Sequence, residues 1–596
     1  MRILLAPGLH HLIISTIPRV VVPVVVSYAT IHFTVARLTS VDSPIWLFFL
    51  SLITFHLILT AGTLVHGYNQ RRVAARFNAI PVPVVTGRWR LPGNIELIVK
   101  MMRGITADYA NQWLAEIVVD WGDVINLRIL GNDHVFTTNP AYIRQMIVTD
   151  FAIWVKGKEH FTDLMHSFLG DGVFNSDGAM WKFHRSMTRP FFAKDKIVHF
   201  DIFAHHGDAA IRKIRERASG PTDFQDIAAR FTMDSATSFL FGESVNSMAA
   251  PLHLPYGVKD SPGTGSEAPS TTTTQSFPEA FQTVLKAAAF RLIVGLDWPL
   301  FEFWGDKIKR HIRPIHDYIE PILQRALDEG KEKGTIEGKD VEEGPGYYET
   351  LLDHLVSVTS DRNIIRDELL NILLASRDTT AHAITAAMYF LVTEDPDILQ
   401  SLRKEILDVV GLTDVPNYEQ IKDMKYLRAV LNETLRLMPS VPGNKKHSNE
   451  ASVWTSPETG TRYFIPKGIN TSWSVILMQR REDLWGPTAL EYDPRRWLDE
   501  RNKKYYLANP FIFLPFHGGP RMCLGQQFAL NEASFFIIRL LQTFQDISFA
   551  PDAYAPGMLP PHEWKDSTIG RKAIEKVWPM AHLTTYFKGG LWLRMK

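Results

Sequence analysis

The ten residues Phe516-His517-Gly518-Gly519-Pro520-Arg521-Met522-Cys523-Leu524-Gly525 decide how the rest of this chain is interpreted. They contain the single cysteine of a 596-residue sequence, so neither a disulfide nor a multi-thiol metal cage can form within one copy of the protein. The glycines leave room for a large flat group to approach the backbone. Arg521 supplies a permanent cation near the sulfur, and the run from Gln526 predicts a helix whose N-terminal dipole stabilises negative charge. The stretch therefore favours a thiolate over a thiol.

A thiolate in such a loop suits axial ligation of haem iron. The loop resembles that of the cytochrome P450 family, whose pattern is F-x-x-G-x-R-x-C-x-G, and every fixed position is matched. The resemblance implies that Cys523 is the proximal iron ligand. It also implies that Arg521 contacts a haem propionate and that Phe516 packs under the sulfur.

Composition agrees with a large enzyme and excludes one class of partner. Hydrophobic residues make up 45% of the chain, which is enough for a sizeable core. Lysine plus arginine equals aspartate plus glutamate at 64 each, so the charge gives no reason to expect nucleic acid as a partner. The lack of paired cysteines fits a reducing compartment.

The N-terminal region predicts a membrane anchor over residues 1–79. Ile45 to Val65 carries no charged residue and is long enough to span a hydrocarbon core of about 30 Å. The shorter run Val20 to Ala36 is either a second span or an interfacial helix. Arginines at 71, 72 and 76 follow the long run and place the rest of the chain on the cytosolic side. We therefore expect the protein to be located in the endoplasmic reticulum membrane, with its catalytic domain facing the cytosol.

Residues 80–596 are expected to form one catalytic domain. Val124 to Leu130 alternates like a strand and ends at a Gly131-Asn132-Asp133 turn. The segments 257–276 and 330–344 are too polar to bury, and we interpret them as mobile surface insertions. On a helix predicted after the Asn175 to Gly178 stretch, Trp181 and Arg185 lie four residues apart and share a face. They match the family's W-x-x-x-R, and the resemblance implies that both hold a haem propionate.

A helix expected to start near Arg366 contains Ala375-Ser376-Arg377-Asp378-Thr379-Thr380. Adjacent threonines beside an acid are poor choices for a helix interior, because their side chains compete for backbone hydrogen bonds. A capping or packing role is the alternative. The segment is similar to the family's A/G-G-x-D/E-T-T, which implies proton delivery by Thr379 and Asp378. Ser376 stands where glycine is commonest, and it either narrows the oxygen-binding groove or adds a donor there.

Two further motifs complete the resemblance. Glu433 and Arg436 lie three residues apart on a predicted helix, and the resemblance implies that Arg496 joins them in a partly buried network that positions the haem loop. Lys446 stands where the family usually has arginine, and it can pair with a propionate without the bidentate fork.

The fold implied is mainly α, with a small β lobe, after the transmembrane anchor. The activity implied is haem-dependent monooxygenation of lipophilic substrates, with long-chain alkanes, fatty acids or polycyclic aromatics as the leading classes. Because one cysteine cannot hold an iron–sulfur cluster, the electrons must come from another protein. The resemblance implies a membrane-bound, NADPH-dependent reductase, with cytochrome b5 as a further candidate partner. Lys503 and Lys504 are candidate docking residues. Two alternatives are a haem-thiolate isomerase or peroxide-driven enzyme, and a non-enzymatic membrane haem sensor or carrier.

Overall fold

The computed structural model describes residues 6–38, 44–87, 92–192, 199–217, 220–258, 276–332 and 350–596. Of the two expected insertions, 259–275 and 333–344 lie outside the described residues.

Helices dominate, as the sequence predicts. They are α1 (Pro7–His11), α2 (Val22–Leu38), α3 (Pro44–Arg76), α4 (Ile95–Thr106), α5 (Gln112–Trp121), α6 (Pro140–Arg144), α7 (Asp163–Leu169), α8 (Gly178–Thr188), α9 (Phe200–Arg215), α10 (Phe224–Phe241), α11 (Phe277–Val294), α12 (Lys307–His311), α13 (Arg313–Glu332), α14 (Leu351–Val358), α15 (Arg362–Thr393), α16 (Pro396–Val409), α17 (Tyr418–Asp423), α18 (Lys425–Leu437), α19 (Val475–Met478), α20 (Glu482–Trp485) and α21 (Gln526–Thr543).

Short strands form four small sheets among the described residues. They are β1 (Ile80–Pro81), β2 (Val124–Asn126), β3 (His134–Thr137), β4 (Trp154–Val155), β5 (Thr222–Asp223), β6 (Gly443–Ser448), β7 (Ser452–Thr455), β8 (Arg462–Ile465), β9 (Asn470–Ser474), β10 (Ile547–Phe549), β11 (Pro579–Ala581), β12 (Thr585–Phe587) and β13 (Trp592–Met595). The largest sheet has the order β2-β3-β9-β6-β4, and the others are β1-β8-β7, β10-β13-β5 and β11-β12. Within the largest sheet β3 and β9 are parallel, and the other pairs are antiparallel.

The strand expected from Val124 to Leu130 is shorter than predicted. β2 ends at Asn126, and Ile129 makes only an isolated bridge to Asn132. The reason is that Leu130 adopts a left-handed φ of 49° ahead of the Gly131 turn, so the chain reverses before the ladder can continue.

The main core is built where α10, α15 and α21 pack against one another. α15 is 32 residues long, and its N-terminus is fixed by Asp361, whose side chain accepts hydrogen bonds from the backbone of Asn363 and Ile364. In this core Phe231 of α10 stacks on Phe536 of α21 with ring centres 4.2 Å apart. A second core in the β lobe surrounds Trp454. The site described below lies between these two cores.

The predicted span Ile45 to Val65 lies inside α3, which is a continuous helix of 33 residues. Large apolar side chains along it are more than half exposed: Ile45, Trp46, Phe48, Phe49, Ile53, Leu57, Ile58, Leu64 and Val65. Within the described part of the chain, we find no helix that is both long and apolar enough to cross a membrane.

Candidate active site

A cavity of about 600 Å³ lies between α15, β6 and the loop that precedes α21. Its walls are mostly apolar. Lys156, Arg185, Lys445, Lys446 and Arg521 line it, whereas no aspartate or glutamate is found among its described lining residues. The cavity is therefore an apolar chamber with a strongly cationic side.

The cysteine loop forms one wall of this cavity. Cys523 is accessible there, and its backbone N–H donates to the Phe516 carbonyl at 3.0 Å, which closes the loop. Gly519 has a φ of +67°, and a Cβ on it would lie 2.1 Å from the carbonyl oxygen of Ile147, so only glycine fits there. Burial raises the pKa of the Cys523 thiol, while the Gly525 backbone N–H and the Arg185 charge oppose that rise. The loop thus presents a single sulfur with a backbone donor aimed at it.

Arg521, Trp181 and Arg185 lie together beside the sulfur. The Arg521 guanidinium lies 4.7 Å from the centre of the Trp181 ring, and the Arg185 guanidinium lies 5.9 Å from it. Arg521 Nη2 also lies 2.6 Å from Asp177 Oδ1, and Arg185 Nη2 donates to the Met522 carbonyl at 3.0 Å. Asp177 precedes α8, so this helix and the cysteine loop are joined through charged hydrogen bonds.

Lys446 is the most isolated cation of the cavity. It is 2% exposed, and its Nζ has no hydrogen-bond partner among the described residues. Burial, together with the neighbouring charges of Lys156 and Arg521, lowers the pKa of Lys446 well below its ordinary value. Burial and the same Arg521 charge lower the pKa of Lys156 to about 7. An anion beside Lys446 would give its Nζ a partner and raise its pKa again. These residues therefore fit a large flat group that carries acidic side chains and presents a metal to the sulfur, which is what haem offers.

A face of α15 forms the wall that carries hydroxyl groups. Ser376, Thr379 and Thr380 line the cavity. The Thr379 hydroxyl donates to the Ala375 carbonyl at 2.6 Å, and Ser440 donates to the Thr379 carbonyl at 2.7 Å. The Ser376 hydroxyl donates to the Leu373 carbonyl at 3.3 Å. Because the Ser376 and Thr379 hydroxyls donate into their own helix, their lone pairs are available to groups inside the cavity.

Asp378 is placed differently from its neighbours. It does not line the cavity, and its Oδ1 accepts a hydrogen bond from the adjacent Arg377. The structure therefore brings Thr379 and Ser376 to the cavity but holds Asp378 against Arg377.

Glu433, Arg436 and Arg496 are brought together away from the cavity. Glu433 accepts from Arg436 Nε and Nη2 and from Arg496 Nε, each at 2.8 Å, and all three side chains are almost completely buried. Burial alone would raise the pKa of Glu433, but the two guanidiniums hold it below its ordinary value. Arg436 also donates to the Gln479 carbonyl at 2.9 Å, and the Gln479 side chain accepts from the backbone N–H of Leu514 at 2.8 Å. The network thus reaches Leu514, in the irregular segment that leads into the cysteine loop.

Sequence reasoning missed four residues of this site: Asp177, Lys156, Lys445 and Gln479. Asp177 binds Arg521 from 344 positions away, and no local pattern encodes such a pair. Lys445 is adjacent to Lys446, which the sequence did predict as a site residue.

Comparison with known proteins gives a consistent result. A family model described as Cytochrome P450 matches residues 92–551. Cytochrome P450 52E1 of Candida apicola is 34% identical over 474 residues, which covers 79% of this chain and 86% of that protein. Cytochrome P450 52A1 of Candida tropicalis is 32% identical over 530 residues, which covers 86% of this chain and 91% of that protein. Cytochrome P450 52A12 of Debaryomyces hansenii is 34% identical over 443 residues, which covers 73% of this chain and 80% of that protein.

Proposed function

The chain belongs to the cytochrome P450 family, and we propose that Cys523 is its iron ligand and that its cavity selects a lipophilic chain ending in an anion. It is a haem-dependent monooxygenase of lipophilic substrates, and its electrons come from NADPH through a reductase. The observation that carries the proposal is the cavity itself, which combines one accessible sulfur with apolar walls and a cluster of cations.

Haem, when bound, supplies dioxygen activation and the insertion of one oxygen atom into a C–H bond. The residues of the chain itself bind the haem and orient it. Cys523 would donate electron density to the iron of a bound haem, and the Gly525 N–H lowers the pKa of the sulfur against the rise that burial causes. Trp181, Arg185, Arg521 and Lys446 would bind the propionates of a bound haem, while Phe516 would support the cysteine loop.

The hydroxyl groups of α15 have two roles: they take part in proton transfer and they limit the width of the cavity. Thr379 keeps a hydroxyl at the cavity wall and, because it donates to Ala375, accepts a hydrogen bond from the cavity. Ser376 narrows the groove and adds a second hydroxyl. Asp378 can take part in proton delivery once Arg377 releases it.

The balance of charge in the cavity argues for an anionic substrate end. Arg521 is paired with Asp177, and a haem brings two propionates, which leaves two of the five cavity cations without a counter-ion. Lys445 is the best placed of them, because burial lowers its pKa to about 8 and its Nζ lies 5.8 Å from the centre of the Phe161 ring. Lys156 Nζ lies 4.2 Å from the same ring. A long-chain fatty acid supplies both a carboxylate for these lysines and an apolar chain for the walls.

A spectral titration of the ferric enzyme tests this proposal. The ligands are a fatty acid, its methyl ester and an alkane of the same length, and the variants are Lys445→Met and Lys156→Met. We expect the acid to bind about tenfold more tightly than the ester, as a charge-assisted hydrogen bond provides, and this preference to vanish in Lys445→Met. Lys503→Met, at an exposed position outside the cavity, is the control. Equal binding of acid and ester by the unaltered enzyme would contradict the anionic-end proposal.

We also propose that residues 1–79 attach the catalytic domain, residues 80–596, to the endoplasmic reticulum membrane with its active site in the cytosol. The exposed apolar side chains of α3 support attachment, because an exposed run of this kind is unfavourable in water. The reductase would then dock on the cysteine side, where Lys503 and Lys504 are exposed, and cytochrome b5 is a further candidate for the same surface. Removal of residues 1–79 should yield a haem-binding domain recovered without detergent, and a continued need for detergent would contradict this.

A further inference from the structure

One carboxylate on α15 holds the helix that carries Trp181 and Arg185. Glu368 is completely buried, and its Oε1 accepts a hydrogen bond from the Thr188 hydroxyl of α8 at 2.6 Å. Its Oε2 lies 2.9 Å from Nδ1 of His184, which also belongs to α8. Two side chains of one helix therefore meet the same buried carboxylate of another.

The contacts with Glu368 share a helix face with the residues of the cavity. This face carries four side chains at the i, i+3, i+4 and i+7 spacing: Trp181, His184, Arg185 and Thr188. Trp181 and Arg185 line the cavity, whereas His184 and Thr188 are completely buried. The contacts of the buried pair with Glu368 consequently fix how α8 is rotated about its own axis, and with it the direction in which the two cavity residues point.

The segment that leads into α8 is held on α15 as well. The backbone N–H of Val173 donates to Glu368 Oε2 at 2.9 Å, and that of Phe174 donates to Asn371 Oδ1 at 2.9 Å. This close approach depends on Gly172, because a Cβ there would lie 2.2 Å from Asn371 Nδ2. A shift of α8 along α15 would therefore break buried hydrogen bonds, which is costly.

We propose that Glu368 is a positioning residue for haem: by fixing α8, it presets Trp181 and Arg185 for the propionates. This rests on the haem contacts proposed above for those two residues. Glu368 is not among the described residues that line the cavity, so it acts through α8. A binding group that is already held in place loses less conformational entropy when its ligand arrives, so haem is bound more tightly.

Resonance Raman spectra of the ferric holoenzyme test this without turnover, because the propionate bending bands respond to hydrogen bonding and the iron–sulfur band responds to the cysteine. We expect Thr188→Val and Glu368→Met to shift the propionate bands and to leave the iron–sulfur band in place. Thr188→Ser and Glu368→Gln keep polar groups at these positions and should give the spectrum of the unaltered enzyme. Thr385→Val is the control, because it removes a buried hydroxyl of α15 that does not line the cavity.

The rate of haem transfer to excess apomyoglobin is the second measurement. Release should be about tenfold faster in Thr188→Val and Glu368→Met, as is typical when a residue that orients the groups of a metal site is removed. Thr188→Ser, Glu368→Gln and the control should release haem at the rate of the unaltered enzyme. Equal release from Thr188→Val and Thr385→Val would overturn the proposal, since the loss of any buried hydroxyl would then have the same effect.

Arg185→Leu distinguishes the positioning role from the haem contact on which it rests. This variant should shift the propionate bands by itself, because it removes a proposed propionate contact. If it shifts them while Thr188→Val and Glu368→Met do not, the positioning role of Glu368 is overturned and the haem contact stands. Unchanged bands in Arg185→Leu would refute the haem contact, and the positioning role with it. If Glu368→Met fails to fold, the two Thr188 variants decide by themselves.

Discussion

Arg377 Nη1 donates a hydrogen bond to the carboxylate of the adjacent Asp378, which turns that acid away from the cavity that Thr379 and Ser376 line. Arg377 is itself held by Gln282, whose Oε1 accepts from the same nitrogen at 2.9 Å. The Thr232 hydroxyl further donates to the Arg377 carbonyl at 2.9 Å. The acid and the alcohol that share one motif are therefore in different environments, and the cavity meets only the alcohol.

Asp378→Asn should therefore have a small effect. Since the carboxylate is already paired, we expect product per NADPH to stay within about twofold of the unaltered enzyme, far from the 10²-fold or larger loss of a missing general acid. The measurement is product and peroxide per NADPH with reductase. Arg377→Gln is the matched variant, because it frees Asp378 without removing it. A loss in Asp378→Asn as large as that in Thr379→Ala would show that the acid reaches the cavity during turnover.

Short motifs in the sequence were enough to select the side chains that meet at the cavity, because each motif belongs to one helix or one loop. Cys523, Arg521, Trp181 and Thr379 all line the same chamber, although they come from three separated parts of the chain. The predicted α15 was also recognisable, and it begins at Arg362, slightly before the expected Arg366.

What the sequence could not predict depends on pairs that are distant in the chain. Asp177 meets Arg521, and Gln282 meets the Arg377 that pairs with Asp378, only after helices have packed. The pKa of Glu532 in α21 is of the same kind: burial raises it, whereas Arg436 and Arg496 lower the pKa of Glu433, and nothing local in the sequence distinguishes the two glutamates.

Cys523→Ser should abolish the thiolate-type spectrum of the reduced carbon monoxide complex. An alcohol is a far weaker donor to iron than a thiolate, and this is the only cysteine of the chain, so no other residue can replace it in kind. The absorption spectrum of the reduced complex measures this directly. Survival of the thiolate-type band in the variant would exclude Cys523 as the ligand.

Lys156 makes the haem-free protein sensitive to pH. Its pKa in the folded protein is about 7, against 10.5 as the ordinary value, because it is buried near Arg521 and Lys445. Below pH 7 both folded and unfolded chains carry the proton, so the burial cost is fully present there. Between about pH 7 and 10.5 the unfolded chain binds more protons, so stability should rise with pH.

Lys156→Met should raise the denaturation midpoint of the haem-free protein at pH 7 and flatten its dependence on pH. Chemical denaturation at several pH values measures both effects. Lys503→Met is again the control, since that side chain is exposed. An unchanged pH profile in Lys156→Met would mean that another buried cation of the cavity dominates.

Glu433→Gln should destabilise the fold by about 3–5 kcal/mol, because it leaves Arg436 and Arg496 buried without their counter-charge. The pKa of Glu433 is lower in the folded chain than its ordinary value, so the stabilisation is fully present above that ordinary value and is lost as the pH falls through the folded one. Denaturant unfolding at pH 7 and at decreasing pH is the measurement. A difference from the unaltered protein that grows on acidification would contradict this assignment.

Thr379→Ala separates oxygen chemistry from haem binding. The change removes a cavity hydroxyl but no proposed haem contact, and alanine favours helix. The variant should therefore fold, load haem and bind substrate normally. Without the hydroxyl, protons are delivered less selectively, so NADPH consumption should continue while peroxide replaces product. Product and peroxide per NADPH are measured with reductase and the substrate that the spectral titration identifies.

Thr385→Ala is the control for this experiment because it changes the same kind of bond in the same helix. Thr385 donates to the Ala381 carbonyl at 2.7 Å, as Thr379 donates to the Ala375 carbonyl at 2.6 Å, but Thr385 is buried in the core and does not line the cavity. If loss of a hydroxyl-to-carbonyl bond in α15 were enough to disturb coupling, both variants would release peroxide. We expect only Thr379→Ala to do so. Unaltered coupling there would make Thr379 a packing residue and direct attention to Ser376.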